Sequence, residues 1–396
     1  MARVIAGRKV IVIGGGIAGL AVAAILAQRG ARVEVLEQAA QIAEVGAGLQ
    51  ISPNGAVVLR AMGLGDRLRG AGMRAGAVEL CDGPSGARVT RLDLGALRAG
   101  QAYYFMHRAD LIDLLADAAR AAGAVISTGQ TVTGVEGGEV RIGAATRRAD
   151  LVIGADGLRS TARAALNGRA VPFFTHQVAW RALIPEAGAR PEVTVHMGPG
   201  RHLVSYPLRG GGLRNLVAVE ERHRWAEEGW HHRDLPDNLR AAFAGFGGPV
   251  PGWLDQLSEV HLWGLFRHPV APVWHEGGQA GGHLAILGDA AHPTLPFLAQ
   301  GANMALEDAW TLALALDGGE APDAALARWQ AARQPRVRRI VEAANRNARA
   351  YHLRGPMRGL AHLGLRLGGA LAPGLALSRF DWLYGHDVTA GAKGAA

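Results

Sequence analysis

The chain has 396 residues, 49% of them apolar and 19% charged, which excludes a disordered polypeptide and gives length enough for two or three domains with real cores. Its 42 basic and 34 acidic residues leave a net charge of +8, but the arginines are scattered and alternate with acids, so no nucleic-acid interface is expected. The single Cys81 excludes an internal disulfide and, with no signal-like or membrane-spanning apolar run, points to the cytoplasm.

In chain order, Val10 to Ile13 reads as a short buried strand, followed by glycines, a helix over Ile17 to Arg29 stopped by Gly30, and a second strand from Arg32 to Glu37. This is a βαβ opening. Gly46 to Asn54 reads as a loop with Pro53 starting a helix, and Arg108 to Ala122 as a helix ended by Gly123. Val178–Ile184, Glu192–Met197, His202–Leu208 and Asn215–Glu220 read as strands between Gly and Pro turns. Leu284 to Leu287 is again a buried strand and Asn303 to Leu316 a helix. A long helix from about Ala321 to Tyr351 is expected to break or restart near Pro335. The arginines 333, 336, 338 and 339 on it read as a solvated face.

Three segments carry the chemistry. Gly14-x-Gly16-x-x-Gly19 lies between a strand and a helix, where the first glycine permits the turn, the second lets backbone approach a pyrophosphate and the third allows close helix packing. The helix N-terminus then offers N–H groups and positive dipole to phosphates. Glu37, closing the second strand, is placed to accept hydrogen bonds from ribose hydroxyls and would repel a 2′-phosphate. Asp156 and Asp289 each follow an apolar strand and a glycine, and each either holds a sugar or ribityl hydroxyl or caps a helix.

Together these segments resemble the single-component aromatic hydroxylases of the flavoprotein monooxygenases, the group with the para-hydroxybenzoate hydroxylase fold, over essentially the whole chain. The resemblance implies an α/β fold in which a Rossmann-like FAD-binding domain (1–73, 105–170, 271–350) interleaves with a mostly antiparallel β-sheet substrate domain (74–104, 171–270). Long C-terminal helices follow (351–396). It implies that Gly14, Gly16 and Gly19 bind the ADP half, and that Arg108 contacts the phosphates. Backbone near Val132 meets the adenine. Asp156, with Ser160 and Arg163, serves FAD and the pyridine nucleotide, and Asp289 holds the ribityl chain. Gly301, Ala302 and Asn303 lie along the isoalloxazine edge, next to Ala299 where relatives often have glycine.

The implied reaction uses NADH or NADPH to reduce FAD, adds O₂ to give a C4a-hydroperoxyflavin, and passes one oxygen to an electron-rich aromatic ring. A phenol of pKa near 10 is only about 0.1% ionised at pH 7, so a positioned base helps. His202 and Tyr206, four apart on a strand and on one face, are the candidates for the base and its relay, as in the similar 3-hydroxybenzoate 6-hydroxylases and 6-hydroxynicotinate 3-monooxygenases. Gln50 falls near the flavin, and Pro296 and Phe297 in the substrate pocket. There relatives carry other residues, so the match to either substrate is imperfect. Arg181 either pairs with a substrate carboxylate or faces the cofactor domain structurally. The expected protein is a monomer or homodimer without a metal, acting on a salicylate- or 3-hydroxybenzoate-type acid. The alternatives are a hydroxylase of a polyketide or quinone precursor and a non-catalytic flavin protein.

Overall fold

The computed structural model describes residues 5–42, 48–222, 232–277 and 282–390. Gly46 and Ala47 of the expected loop lie outside them. Six strands form the first sheet, in the order His275–Gly277, His283–Ile286, Leu151–Gly154, Lys9–Ile13, Arg32–Leu36, Val125–Ser127. All pair in parallel except the edge strand His275–Gly277. Parallel strands are covered on both faces, which is why Val10–Ile13, Leu151–Ile153 and Leu284–Ile286 read as unbroken apolar runs.

The helix Ile17–Gln28 is buried along almost its whole length, so it shows no polar face. It packs between Arg108–Ala121 and Gly301–Leu316. All three glycine-motif segments thus end at the carboxyl edge of one parallel sheet, where open α/β sheets bind ligands.

A second sheet of eight strands runs Arg233–Asp234, Val260–Arg267, Phe173–Pro185, Leu213–Glu221, Arg201–Leu208, Glu192–Gly198, Ala77–Asp82, Arg88–Asp93. It is antiparallel but for the pair Glu192–Gly198 with Ala77–Asp82. One face, with Val178, Trp180 and Ile184, packs on Leu239, Phe243 and Trp253. The other, with Ala179, Val217 and Val219, meets Leu295, Phe297 and Ala348. Among the described residues no helix is long and apolar enough to cross a membrane.

Three sequence expectations are corrected. The loop before Pro53 contains a strand, Gly48–Ile51, because Tyr104–His107 pairs with it. The helix Pro322–Tyr351 runs through Pro335 without a break. Tertiary anchors on the turn before the proline offset the lost hydrogen bond: Arg333 binds Glu307 and Asp308, and Gln334 donates to the Ala271 carbonyl at 2.8 Å. For the same reason the arginine cluster is no uniformly solvated face: Arg333 is 2% exposed.

Candidate active site

The glycine turn packs tightly at two of its three glycines. Gly14 has φ +103° and a Cβ there would overlap the Ala155 carbonyl, while a Cβ on Gly19 would overlap the carbonyl of Gly14. Gly16, the N-cap of the first helix, faces open space instead, with nothing within 4 Å of a Cβ. Packing therefore fixes Gly14 and Gly19 as glycine, while the fold itself leaves room at Gly16. Glu37 accepts from the Gly15 N–H at 2.6 Å and the Ala39 N–H at 2.8 Å, which holds its carboxylate beside that opening. Val132, half-buried, opens the strand Val132–Glu136.

The two aspartates diverge. Asp156 bonds the Ser160 hydroxyl and accepts from the Thr161 N–H at 2.7 Å and the Ala162 N–H at 3.2 Å. It caps the helix Thr161–Asn167, so its oxygens are engaged. Arg163 is committed as well, donating to the carbonyls of Ala290 and Ala291 at 3.1 Å and of Pro269 at 2.8 Å. Asp289 is exposed and has no hydrogen-bond partner among the described residues, and Arg108 lies near enough to act on its charge. Its carboxylate is available to a polyol.

The turn Pro296–Leu298 leads into Ala299, whose φ of +52° is the left-handed region where glycine is favoured. Asn303 holds this turn rather than presenting its amide outward. Its Oδ1 accepts from the Ser52 N–H at 3.0 Å, and its Nδ2 donates to the carbonyls of Gln50 at 3.0 Å and Ala299 at 2.8 Å. Gly301 and Ala302 begin a helix of 16 residues whose N-terminus points positive dipole at the same place.

Beneath lies a buried ionic network that sequence reasoning missed. Arg333 bonds Glu307 at 2.6 Å and Asp308 at 2.9 Å, Arg336 bonds Glu307 at 2.7 Å, and His292 pairs with Asp308. Asn54 joins it through Glu307 at 2.7 Å and Gln300 at 3.0 Å. Burial alone would raise Asp308, but the charges of His292 and Arg333 hold it down at about 2. Two adjacent acids inside the apolar run Met304 to Trp310 were the available signal, since such acids need buried partners.

His202 and Tyr206 do share a face of their strand, with Val204 between them, yet they are not hydrogen-bonded to each other. The Tyr206 ring lies 5.3 Å from that of Phe105, and Gln50 accepts a hydrogen bond from Tyr103 at 2.6 Å. Burial pushes the Tyr206 phenol above its usual range. His202 turns the other way. Its Nδ1 is 2.7 Å from Nε2 of His352, whose Nδ1 is 2.9 Å from Glu221, itself paired with Arg354 at 2.9 Å. Burial, and then the neighbouring His352, lower the His202 pKa. Contacts therefore run from His202 through His352 to the exposed Glu221, not from His202 to Tyr206.

A cavity of about 540 Å³ is bounded by Gln50, Pro296, Phe297, Val204 and Tyr351. His202 stands one ring behind its wall, 5.3 Å from Phe297 and 5.2 Å from Tyr351 between ring centres. Arg181 is on the same sheet face but does not line the cavity. Its guanidinium lies 4.6 Å over Trp263.

The FAD binding domain family matches residues 8–344. The chain belongs to this FAD-binding family. The glycine turn, the free Asp289 carboxylate and the helix N-terminus at the Ala299 turn all fit FAD as cofactor, and the chain is an FAD-dependent monooxygenase of the aromatic-hydroxylase group. It is 35% identical to the 3-amino-4-hydroxybenzoate 2-monooxygenase PtnB3 of Streptomyces platensis, over 96% of each chain. It is 33% identical to the 3-hydroxybenzoate 6-hydroxylase of Klebsiella oxytoca, over 95% of this chain and 96% of that one. A salicylate hydroxylase substrate complex shares the fold with a TM-score of 0.80 at 25% identity, covering 99% of this flavoprotein and 98% of the other.

Proposed function

We propose that this monooxygenase hydroxylates the ring of a hydroxylated aromatic acid of salicylate or hydroxybenzoate type, with NADH or NADPH as electron donor. The observation that carries the reading is the cavity ending on Gln50 and the Pro296–Ala299 turn, with the His202 chain behind it. The relatives named above support it, since their substrates are named as benzoates carrying a hydroxyl group.

FAD, when bound, supplies electrons taken from the nicotinamide and activated oxygen. Gly14, Gly16, Gly19, Glu37 and Arg108 would hold its ADP half, Asp289 its ribityl hydroxyls, and the backbone of Gly301 and Ala302 the ring edge. Asp156 and Asn303 serve indirectly, by fixing the local backbone.

The substrate hydroxyl gives its proton to His202, whose tautomer follows from its neighbours. An ionised Glu221 only accepts, so His352 donates from Nδ1 and accepts at Nε2, and His202 must donate from Nδ1. That leaves the lone pair of His202 on Nε2, ready for a proton. A proton taken there sends one onward through His352 to Glu221 and water, which leaves both imidazoles neutral and the negative charge on the substrate phenolate. The step requires Phe297 or Tyr351 to turn aside when cofactor and substrate are seated. Gln50 and Tyr206 orient the ring from the other side.

The test is a panel of hydroxylated aromatic acids scored by stimulated NAD(P)H oxidation and by product mass. A product heavier by one oxygen is expected for at least one of them. Purified holoprotein that no aromatic acid stimulates would overturn the reading.

A further inference from the structure

The cavity has more room than the ring of the proposed substrate needs. Its 540 Å³ is shared with the flavin ring edge seated at the Pro296–Ala299 turn, but the apolar lining continues well past that turn. The surplus lies away from the reacting end. From Gln50 and the Pro296–Ala299 turn the cavity runs across the strands Ala77–Asp82 and Glu192–Gly198 to the helix Gly355–Leu371 and Ala372.

The two ends differ in chemistry. Gln50, Tyr103 and Asn347 give the turn end polar atoms, but the far end is walled by Leu80, Leu92, Val195, Leu365, Leu371 and Ala372. No acid lines the cavity among the described residues. Of the basic groups, His362 is taken up by Asp82, 3.2 Å from its Nδ1, and Arg379 is exposed. A single-ring acid would leave this apolar wall against water, where burial of apolar surface would otherwise be gained.

We propose that the natural substrate carries an extended apolar arm, an alkyl chain on its hydroxylated ring, and that the cavity beneath the helix Gly355–Leu371 is the subsite for that arm. The inference rests on the aromatic-hydroxylase reading and narrows it. The ring then sits at Gln50 and the Pro296–Ala299 turn, while the arm passes Val195 and Leu80 toward Leu365 and Ala372.

The experiment uses FAD-loaded enzyme and two series, salicylates and 3-hydroxybenzoates bearing hydrogen, butyl or octyl at each free ring position. Dissociation constants are read from perturbation of flavin absorbance, and turnover from NADH oxidation with product mass. For one ring position affinity should rise by about fourfold per buried methylene until the arm is full. Ala372→Phe and, separately, Leu80→Trp should abolish the gain for octyl and leave the parent acid within twofold. Flavin content shows that each variant is folded, and either one suffices. Equal affinity for parent and octyl acids at every position overturns the inference, as do variants that weaken both alike. If short acids are hydroxylated and long ones excluded, only the arm subsite fails. If no acid of either length is hydroxylated, the hydroxylase reading fails with it.

Discussion

Asp156 and Asp289 look alike in sequence, each after a strand and a glycine, and they do different work. Asp156 spends its oxygens on the helix Thr161–Asn167, so Asp156→Ala is expected to cost about 1 kcal/mol of stability, the usual worth of a cap. Asp289→Ala should leave the melting temperature of flavin-free protein unchanged and weaken FAD binding at least tenfold. Thermal melts and flavin titration separate the two, and a reversed pattern sinks the assignment. His202→Ala should slow hydroxylation 10²–10⁴-fold, the range for a positioned base, with FAD affinity kept. Glu221→Gln should slow it about tenfold, and Glu221→Asp restore most of the loss. Burial lowers the His202 pKa, so the base stays unprotonated below pH 6.5. Coupling of NADH oxidation to product should therefore hold as pH falls through 6.5 and fail only well below it.

At the level of elements, the helix Gly301–Leu316 binds the site to the long helix Pro322–Tyr351 through buried charge. Removing Arg333 leaves Glu307 and Asp308 buried without their main partner, so Arg333→Met is expected to cost about 3–5 kcal/mol in denaturant unfolding. Acid should act on the same network. Asp308 titrates at about 2 in the fold and near 3.9 unfolded, so its contribution is complete above about pH 4 and is lost as pH falls toward 2. This network also marks the limit of what the sequence revealed. The glycine turn, its strand and its helix were legible because their spacing reflects backbone geometry within about thirty residues. The partner of Arg333 was not, because the pair joins two different helices with no spacing rule between them, and i,i+3 arginines usually face water. Nor was His352, 150 residues from His202, since it carries no periodic signal and only the close of the long helix brings it there. Gly48–Ile51 was missed for a similar reason: four residues are too few for alternation to register, and pairing with Tyr104–His107 makes the strand.

On the scale of the whole molecule, the proposed cofactor site joins positions scattered over most of the chain: the Gly14–Gly19 turn, Glu37, Arg108, Asp289 and the start of the helix Gly301–Leu316. None of these contacts survives in the unfolded chain, so FAD binding is linked to folding. At 100 times its Kd, FAD should add about 2.7 kcal/mol of stability, seen as a melting temperature that climbs with added flavin. The two halves of the site can be told apart in the same measurement. ADP reaches only the glycine cradle, Glu37 and Arg108, so at the same multiple of its own, weaker Kd it should stabilise equally. At equal concentration it should stabilise far less than FAD. Asp289→Ala should narrow that difference by weakening FAD alone. If ADP and FAD stabilise the protein equally at equal concentration, then Asp289 and the Gly301–Leu316 N-terminus contribute nothing to binding. The ribityl and ring assignments would fall, while the glycine cradle would stand.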